Sequence, residues 1–179
     1  DNDKKSIYLQ TRATKSPIEW VAQVDVFHLD ADQFVNQLYQ KSMNKKNLNN
    51  NWDVVIIDFP DPSSIELAKL YSKEFYYKLK RILSKDALIA IQSTSPYHAK
   101  EAFIAIIGTI KSAGFDVIPY HQNIPSFGDW GFNLAWSNKA LSQQIRNKIN
   151  KLESFKSKTS YLTPELLRAS LVFGKNELI

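Results

Sequence analysis

Several absences narrow what this 179-residue chain can do. It contains no cysteine, which excludes disulfide bonds and thiolate-ligated zinc or iron–sulfur sites. Its five glycines all lie at or after Gly108, so the residues before Gly108 cannot form a glycine-rich ligand-binding loop. The polar N-terminus DNDKKSIYLQ has neither the apolar core of a signal peptide nor a transmembrane run. His28, His98 and His121 show no metal-ligand spacing, so we predict no metal site.

The composition of the chain is typical of a soluble globular protein, with 44% hydrophobic and 23% charged residues. We predict a single domain over residues 1–179, of which 1–20 are flexible. The net charge of +5 comes from 23 basic and 18 acidic residues, and the basic side chains are scattered along the chain. That distribution favours a solvated surface over a nucleic-acid-binding one. Because nothing in the sequence argues for secretion, we expect a cytoplasmic location.

The chain is organised around the stretch DVVIIDFPDP at residues 53–62. Residues 54–57 are four consecutive β-branched residues without polar alternation. This pattern is typical of a strand that is buried on both faces of a parallel sheet. We therefore predict a central strand at residues 53–58.

Two acids, Asp58 and Asp61, follow this strand at its carboxyl end. Open α/β sheets bind their ligands at that end, which makes both acids candidates for a functional site. One of them could instead cap the next helix. However, Ser63 and Glu66 form an S-x-x-E capping box that can serve the helix without either acid.

The rest of the chain alternates strand and helix patterns. Further strands are predicted at 21–29, 87–91, 115–120 and 132–136, and helices at 32–41, 64–83, 96–113 and 141–155, with a last helix starting at Thr163–Pro164. The strand at 132–136 is reached through a loop without a crossover helix, which implies antiparallel pairing. The order predicts an α/β fold whose sheet is mostly parallel, with an antiparallel strand near the C-terminus.

Five motifs occur together in the order and spacing of one known family. They are DVVIIDFPDP (53–62), LYSKEFY (70–76), QSTSPY (92–97), AGF (113–115) and IPSFGDWGF (124–132). Together they resemble the C-terminal half of the polyamine aminopropyltransferases, the spermidine synthase family, over residues 24–170. The FGDWGF form and the closing YLTPE (161–165) resemble the branch whose members are often fused to a membrane-spanning N-terminal region. Such a fusion would place the chain at the cytoplasmic face of a membrane.

The resemblance implies a partial Rossmann-like fold of the S-adenosylmethionine-dependent methyltransferase type. It also implies transfer of an aminopropyl group from decarboxylated S-adenosylmethionine, a co-substrate, to a diamine such as putrescine, without a permanently bound cofactor. Asp58 matches the catalytic acid that accepts a proton from the attacking amine. Such an acid is needed because an alkylammonium, with a pKa of ~10, has no lone pair for attack. Asp61 matches the acid that faces the diamine, and two acids suit a dication.

Two further positions match the adenine-reading part of the donor site. Asp30 and Ala31 follow the strand at 21–29, where a carboxylate can accept from the exocyclic amine and a small residue leaves room for the ring edge. The alternative for Asp30 is a helix cap, although Asp32 could cap equally well.

Three side chains are predicted to line the amine site. Gln92 ends the strand beside the central one, so its amide is expected in the same crevice, and it matches a family position there. Tyr71 is also a candidate, but aromatic residues on a helix face more often pack in a core. Trp130 could lie along a polyamine chain and offer its ring to an ammonium, or it could be a packed indole in a turn.

The chain also departs from the family pattern. The family's glycine-rich donor loop, the acidic residue that binds the ribose and the N-terminal β-rich domain are absent from this sequence. We therefore expect the distal part of a catalytic domain, with little activity as this chain alone, that is completed by an upstream half or by another copy of itself. The alternatives are a non-catalytic remnant that binds polyamine or a partner, and a methyltransferase-like enzyme of the same fold.

Overall fold

The structure is a computed structural model that describes residues 7–13, 22–44 and 52–178. Its strands are β1 (Ile7–Ala13), β2 (Ala22–His28), β3 (Trp52–Ile57), β4 (Leu83–Gln92), β5 (Asp116–Ile124) and β6 (Gly128–Trp136). Its helices are α1 (Ala31–Asn44), α2 (Ile65–Ala68), α3 (Lys73–Ile82), α4 (Lys100–Ser112), α5 (Leu141–Asn150) and α6 (Pro164–Ala169), with a 3-10 turn at Lys69–Tyr71.

Four strands form the main sheet, in the order β3-β4-β6-β5. β3 and β4 pair in parallel, whereas β6 is antiparallel to both β4 and β5. Within this sheet β3, β4 and β5 therefore share one direction, and β6 runs against them. The predicted α/β class and the antiparallel strand near the C-terminus are confirmed.

Among the strands that the structure describes, the prediction that the strand at 53–58 is central is wrong. β3 lies at one edge of the sheet that these strands form, and Val54 and Ile56 are 64% and 77% exposed. Only Ile57, at 4% exposure, is buried within β3. A run of β-branched residues indicates a strand, but the burial of its two faces depends on what packs against them, which the run does not specify.

β4 forms the centre of the hydrophobic core instead. Ile89 and Ile91 on β4 are fully buried, and each such side chain contributes about 1.5–3 kcal/mol through burial. The same buried cluster contains Phe75, Tyr76, Leu79 and Ile82 of α3 and Ile106 and Ile110 of α4. β4 is therefore anchored in the core up to Ile91, directly before Gln92.

The single helix predicted at 64–83 is divided by Ser72. The Ser72 hydroxyl accepts from the backbone N–H of Phe75 at 3.2 Å and so starts α3 as a new helix. The capping box predicted from Ser63 and Glu66 is displaced by one residue, since Ser64 caps α2 by accepting from the N–H of Leu67 at 3.3 Å. The local hydrogen-bonding power of serine thus outweighs the helical periodicity.

Other boundaries also differ from the sequence prediction: β4 begins at Leu83, before the predicted 87, and α5 ends at Asn150, before the predicted 155. Part of the segment predicted to be flexible, 1–20, forms β1, which pairs antiparallel with β2, while residues 1–6 and 14–20 lie outside the described residues. Most of the loop predicted before the strand at 132–136 is a β5–β6 hairpin. The helix predicted from residue 96 begins at Lys100, after a turn at 96–99.

Among the helices of the described segments, none combines the length and the apolar character that a membrane crossing requires. The start of α6 agrees with the prediction: Thr163 caps it by accepting from the N–H of Leu166 at 3.1 Å, and Pro164 follows as its first residue.

Candidate active site

The parallel pairing of β3 and β4 brings the predicted strand-end residues to the same end of the sheet. Ile57 lies opposite Ile91, so Asp58 and Gln92 follow at the same level of two neighbouring strands. Asp58 is exposed, whereas Gln92 is buried. Both residues thus lie at the carboxyl end of the parallel strands, where open α/β sheets bind their ligands.

Asp61 is held by two donors from the end of β4. The Nε2 atom of Gln92 donates to Asp61 Oδ1 at 3.1 Å, and the Oγ1 atom of Thr94 donates to Asp61 Oδ2 at 3.1 Å. An ionised carboxylate only accepts hydrogen bonds, so the amide NH₂ of Gln92 must face Asp61. The Oε1 atom of Gln92 therefore faces the other way.

Tyr71 meets that amide oxygen. Its hydroxyl lies 3.0 Å from Gln92 Oε1 and 3.2 Å from the carbonyl oxygens of Phe59 and Pro60. All three neighbours are acceptors, so the hydroxyl donates its proton to one of them at a time. A hydrogen-bonded chain thus runs from Tyr71 through Gln92 to Asp61 beneath the loop that follows β3.

The pKa of Tyr71 is raised strongly. Burial raises it most, and the negative charges of Asp61 and then Asp58 raise it further. Tyr71 therefore stays protonated and can donate to Gln92. Tyr76, one turn further along, is a core residue: it is fully buried against Phe75, and burial, with a smaller contribution from Tyr71, raises its pKa.

Trp130 makes no hydrogen bond or ring contact with these residues in the described part of the chain. It lies half-buried on β6, and its ring packs against Phe127 with centroids 5.2 Å apart. The next residue, Gly131, exchanges backbone hydrogen bonds with Ser93 and Thr94. The backbone of β6 therefore places Trp130 next to a residue that is bonded to the end of β4.

Asp30 and Ala31, which are predicted to contact the adenine of the aminopropyl donor, lie at the start of α1. The carboxylate of Asp30 accepts from the N–H of Gln33 at 3.0 Å, so Asp30 caps the helix. Ala31 is buried at the first helical position. The expectation that Asp32 could cap equally well is wrong, because Asp32 accepts from Asn36 at 3.0 Å and pairs with Lys78 at 3.6 Å. Reading of adenine by Asp30 and Ala31 stays a prediction.

Thr94 is a residue of this site that sequence reasoning missed. It is buried, and its backbone has a φ of 64°, which is rare for a β-branched residue. The signal in the sequence was the polar run at 92–95, directly after a buried strand. Ser95 in this run accepts from the N–H of His98 at 3.1 Å and donates to the carbonyl of Asp129 at 2.7 Å, which ties the run to the hairpin.

His121 forms a separate polar cluster on β5. Its Nδ1 lies 2.7 Å from Asp129 Oδ1, and its Nε2 lies 2.8 Å from the carbonyl oxygen of Val172. Burial lowers the pKa of His121, but the hydrogen bonds to Asp129 and Val172 outweigh it, so the pKa is raised. The ring also packs on Phe173 at 4.5 Å. His121 thereby attaches the segment after α6 to the hairpin.

No group of three or more histidine, cysteine or acidic side chains is arranged to hold a metal ion within the ranges that the structure describes. At the carboxyl ends of β3 and β4, Gln92 and Thr94 donate to Asp61, Tyr71 donates to Gln92, and Asp58 adds a second carboxylate. Such a site suits a cationic ligand.

The main sheet and its ligand edge define a methyltransferase-like α/β fold. Residues 8–149 match the spermine/spermidine synthase domain. The chain belongs to the spermine/spermidine synthase family, as its motifs predict.

Relatives of known name and structure agree with this assignment. The polyamine aminopropyltransferase of Shewanella oneidensis is 39% identical over 153 residues, which are 86% of this chain and 25% of the relative. Polyamine aminopropyltransferase 1 of Streptomyces coelicolor is 42% identical over 123 residues, 68% of this chain and 22% of the relative.

Two solved structures share the fold. Spermidine synthase in complex with the transition-state analogue AdoDATO matches with a TM-score of 0.66 and 20% identity, over 86% of this chain and 50% of that one. Spermidine synthase from Thermotoga maritima matches with a TM-score of 0.63 and 21% identity, over 86% and 49%. This chain therefore spans at most half the length of the proteins that it matches here.

Proposed function

We propose that this chain carries the amine-binding and proton-accepting part of a polyamine aminopropyltransferase. The reaction is transfer of an aminopropyl group from decarboxylated S-adenosylmethionine to a diamine such as putrescine. The observation that supports it best is Asp61, fixed by Gln92 and Thr94 beside Asp58 at the carboxyl ends of two parallel strands. Two carboxylates at one ligand edge match the two charges of a diamine.

Asp58 is the proposed proton acceptor. Its carboxylate is exposed and makes no hydrogen bond within the part of the chain that the structure describes, so it can receive an ammonium proton. Loss of that proton gives the amine nitrogen its lone pair. The nitrogen then forms a bond to the methylene carbon of the aminopropyl group next to the sulfonium, and the bond between this carbon and sulfur breaks. The electron pair of the broken bond stays on sulfur, which becomes a neutral thioether.

Asp61 is the proposed partner of the remote ammonium, and the side chains around it keep it in place. Gln92 donates to one carboxylate oxygen, and Tyr71 holds Gln92 from behind. Trp130 is proposed to cover the methylene chain of the amine, because it lies one residue from Gly131, which is bonded to the end of β4. These roles follow from the resemblance together with the hydrogen-bonded chain.

Asp30 and Ala31 are proposed to contact the adenine of the donor. Capping of α1 uses one carboxylate oxygen of Asp30. The second makes no hydrogen bond to the residues that the structure describes, and it can accept from the exocyclic amine of adenine. Asp30 is exposed, which leaves room for a ligand at this strand end.

The outer edge of β3 is proposed to be covered by another stretch of polypeptide. β3 pairs only with β4 among the described strands, and its apolar side chains Val54 and Ile56 are exposed. An open edge with exposed β-branched residues favours pairing with a further strand. That strand would come from an upstream half or from another copy of the chain, in the cytoplasm or at the cytoplasmic face of a membrane.

The test is product formation, followed by mass spectrometry, from decarboxylated S-adenosylmethionine and putrescine. We expect little transfer by the 179-residue chain and full transfer once the upstream half is supplied in cis or as a separate chain. Full activity from the chain alone would refute the need for completion. Methyl transfer from S-adenosylmethionine in place of aminopropyl transfer would indicate a methyltransferase, and amine binding without turnover in the completed protein would indicate a binding protein.

A further inference from the structure

Thr94 has a backbone conformation that a β-branched residue rarely adopts. Its φ of 64° lies in the left-handed region, and the side chain is only 3% exposed. Such strain persists only where the surrounding structure imposes it, and it occurs most often at functional sites. The cause of the strain and its consequence are both visible around this residue.

Gly131 imposes the conformation from the neighbouring strand. The N–H of Gly131 donates to the carbonyl of Thr94 at 2.7 Å, and the N–H of Ser93 donates to the carbonyl of Gly131 at 2.9 Å. A Cβ at Gly131 would lie 2.8 Å from that Thr94 oxygen, so the close approach needs glycine. The two backbone bonds hold the left-handed conformation of Thr94.

With the backbone held in this conformation, the Thr94 hydroxyl reaches Asp61. Its Oγ1 donates to Asp61 Oδ2 at 3.1 Å, opposite the donation of Gln92 to Oδ1. With donors on both oxygens, rotation of the carboxylate about its Cβ–Cγ bond would break a hydrogen bond. An ionised carboxylate has about four lone-pair sites, so about two remain for a ligand.

We propose that Thr94 is a positioning residue that orients the Asp61 carboxylate toward the remote ammonium of the diamine. The inference rests on the proposed function. Thr94 touches no reacting atom, and it acts through Asp61. Its hydroxyl therefore sets the affinity for the diamine, and the rate of transfer at saturating amine depends on other groups.

Three substitutions separate the hydroxyl from the backbone strain. Thr94→Val keeps the shape and removes the hydroxyl, Thr94→Ser keeps the hydroxyl, and Thr94→Gly removes both the hydroxyl and the strain. A hydrogen bond to a charged group is strong enough that its loss should raise the KM for putrescine roughly tenfold. We expect this rise for Val and Gly, with kcat and the KM for the donor within about twofold of wild type, and near-wild-type values for Ser.

The experiment combines these kinetics, on the completed enzyme, with crystal structures of the variants of the 179-residue chain. Thr94→Val and Thr94→Gly should show the Asp61 carboxylate rotated or in several orientations, while Thr94→Ser keeps one. A purely structural role predicts instead that kcat and both KM values change together, and that Gly is the least affected variant because it relieves strain.

Each outcome decides the proposal. An unchanged Asp61 orientation in both Val and Gly variants would overturn it, and so would a putrescine KM that stays at the wild-type value. If Thr94→Val fails to fold, the comparison of Ser with Gly gives the same answer. If the completed wild-type enzyme transfers no aminopropyl group, the proposed function fails, whereas the Asp61 orientations still show whether Thr94 positions this carboxylate.

Discussion

Gly131→Ala should strongly destabilise this protein, and the structure allows the size of the effect to be worked out. The added Cβ would lie 2.5 Å from Cε2 of Phe103 and 2.8 Å from the carbonyl oxygen of Thr94. Phe103 is fully buried and cannot swing into solvent. Overpacking of this kind costs about 1–3 kcal/mol, and weakening the bond between Gly131 and Thr94 adds about 1 kcal/mol. We therefore expect a loss of about 3 kcal/mol.

Gly108→Ala is the matched control, since the same methyl group is added where there is room for it. Gly108 lies in the interior of α4, and no atom lies within 4 Å of a Cβ built there. Replacing a helical glycine by alanine gains about 0.8–1 kcal/mol. The two variants should thus change stability in opposite directions, and their free energies of unfolding should differ by about 4 kcal/mol.

Urea denaturation and thermal melting measure both variants. At ~2–4 °C per kcal/mol for a domain of this size, Gly131→Ala should lower the Tm by roughly 6–12 °C and Gly108→Ala should raise it by ~2–4 °C. Adding Phe103→Leu to Gly131→Ala should recover part of the loss, because it relieves the ring contact but not the carbonyl contact. If Gly131→Ala were as stable as the wild type, the close approach of β6 to Thr94 would be wrong.

Two further predictions concern the hairpin and the edge strand. Because the folded pKa of His121 is raised, its stabilising contribution is fully present below the unfolded pKa of about 6.5 and is lost as pH rises through the folded value. His121→Phe keeps the aromatic contact with Phe173 and serves as the reference. The urea midpoint of the wild type minus that of His121→Phe should therefore fall over that pH range. A difference that does not change with pH would argue against stabilisation by the hydrogen bonds of His121 to Asp129 and Val172. Ile57→Ala should cost about 2–5 kcal/mol and Ile56→Ala less than about 0.5 kcal/mol in the same chain, and equal costs would contradict the assigned faces of β3.

Local chemistry made much of the fold predictable from the sequence. The polar residues after two apolar strands marked the end of the sheet where Asp61, Gln92 and Thr94 meet, and the threonine–proline pair marked the start of α6. The five motifs gave the family, because their order carries information that no single motif has. The strand ends and the start of α6 depend on nearby residues only.

The features that the sequence did not reveal depend on distant contacts. The position of β3 at the sheet edge depends on which strands lie beside it, and the β-branched run is the same in either place. Thr94 looked like an ordinary loop residue, because its strained φ arises from the approach of Gly131 on another strand. The helix is divided at Ser72 because its hydroxyl caps a new helix, and the spacing of apolar residues does not reveal such a cap.

The central claim is that Asp58 accepts the proton of the attacking amine, and one comparison tests it directly. Asp58→Asn and Asp53→Asn remove the same charge from opposite ends of β3, and both side chains are exposed. In the completed enzyme at saturating putrescine and decarboxylated S-adenosylmethionine, we expect kcat to fall by roughly 10²-fold or more for Asp58→Asn, as for loss of a general base, and to stay within about twofold for Asp53→Asn. Equal rates for the two variants would contradict the role of Asp58.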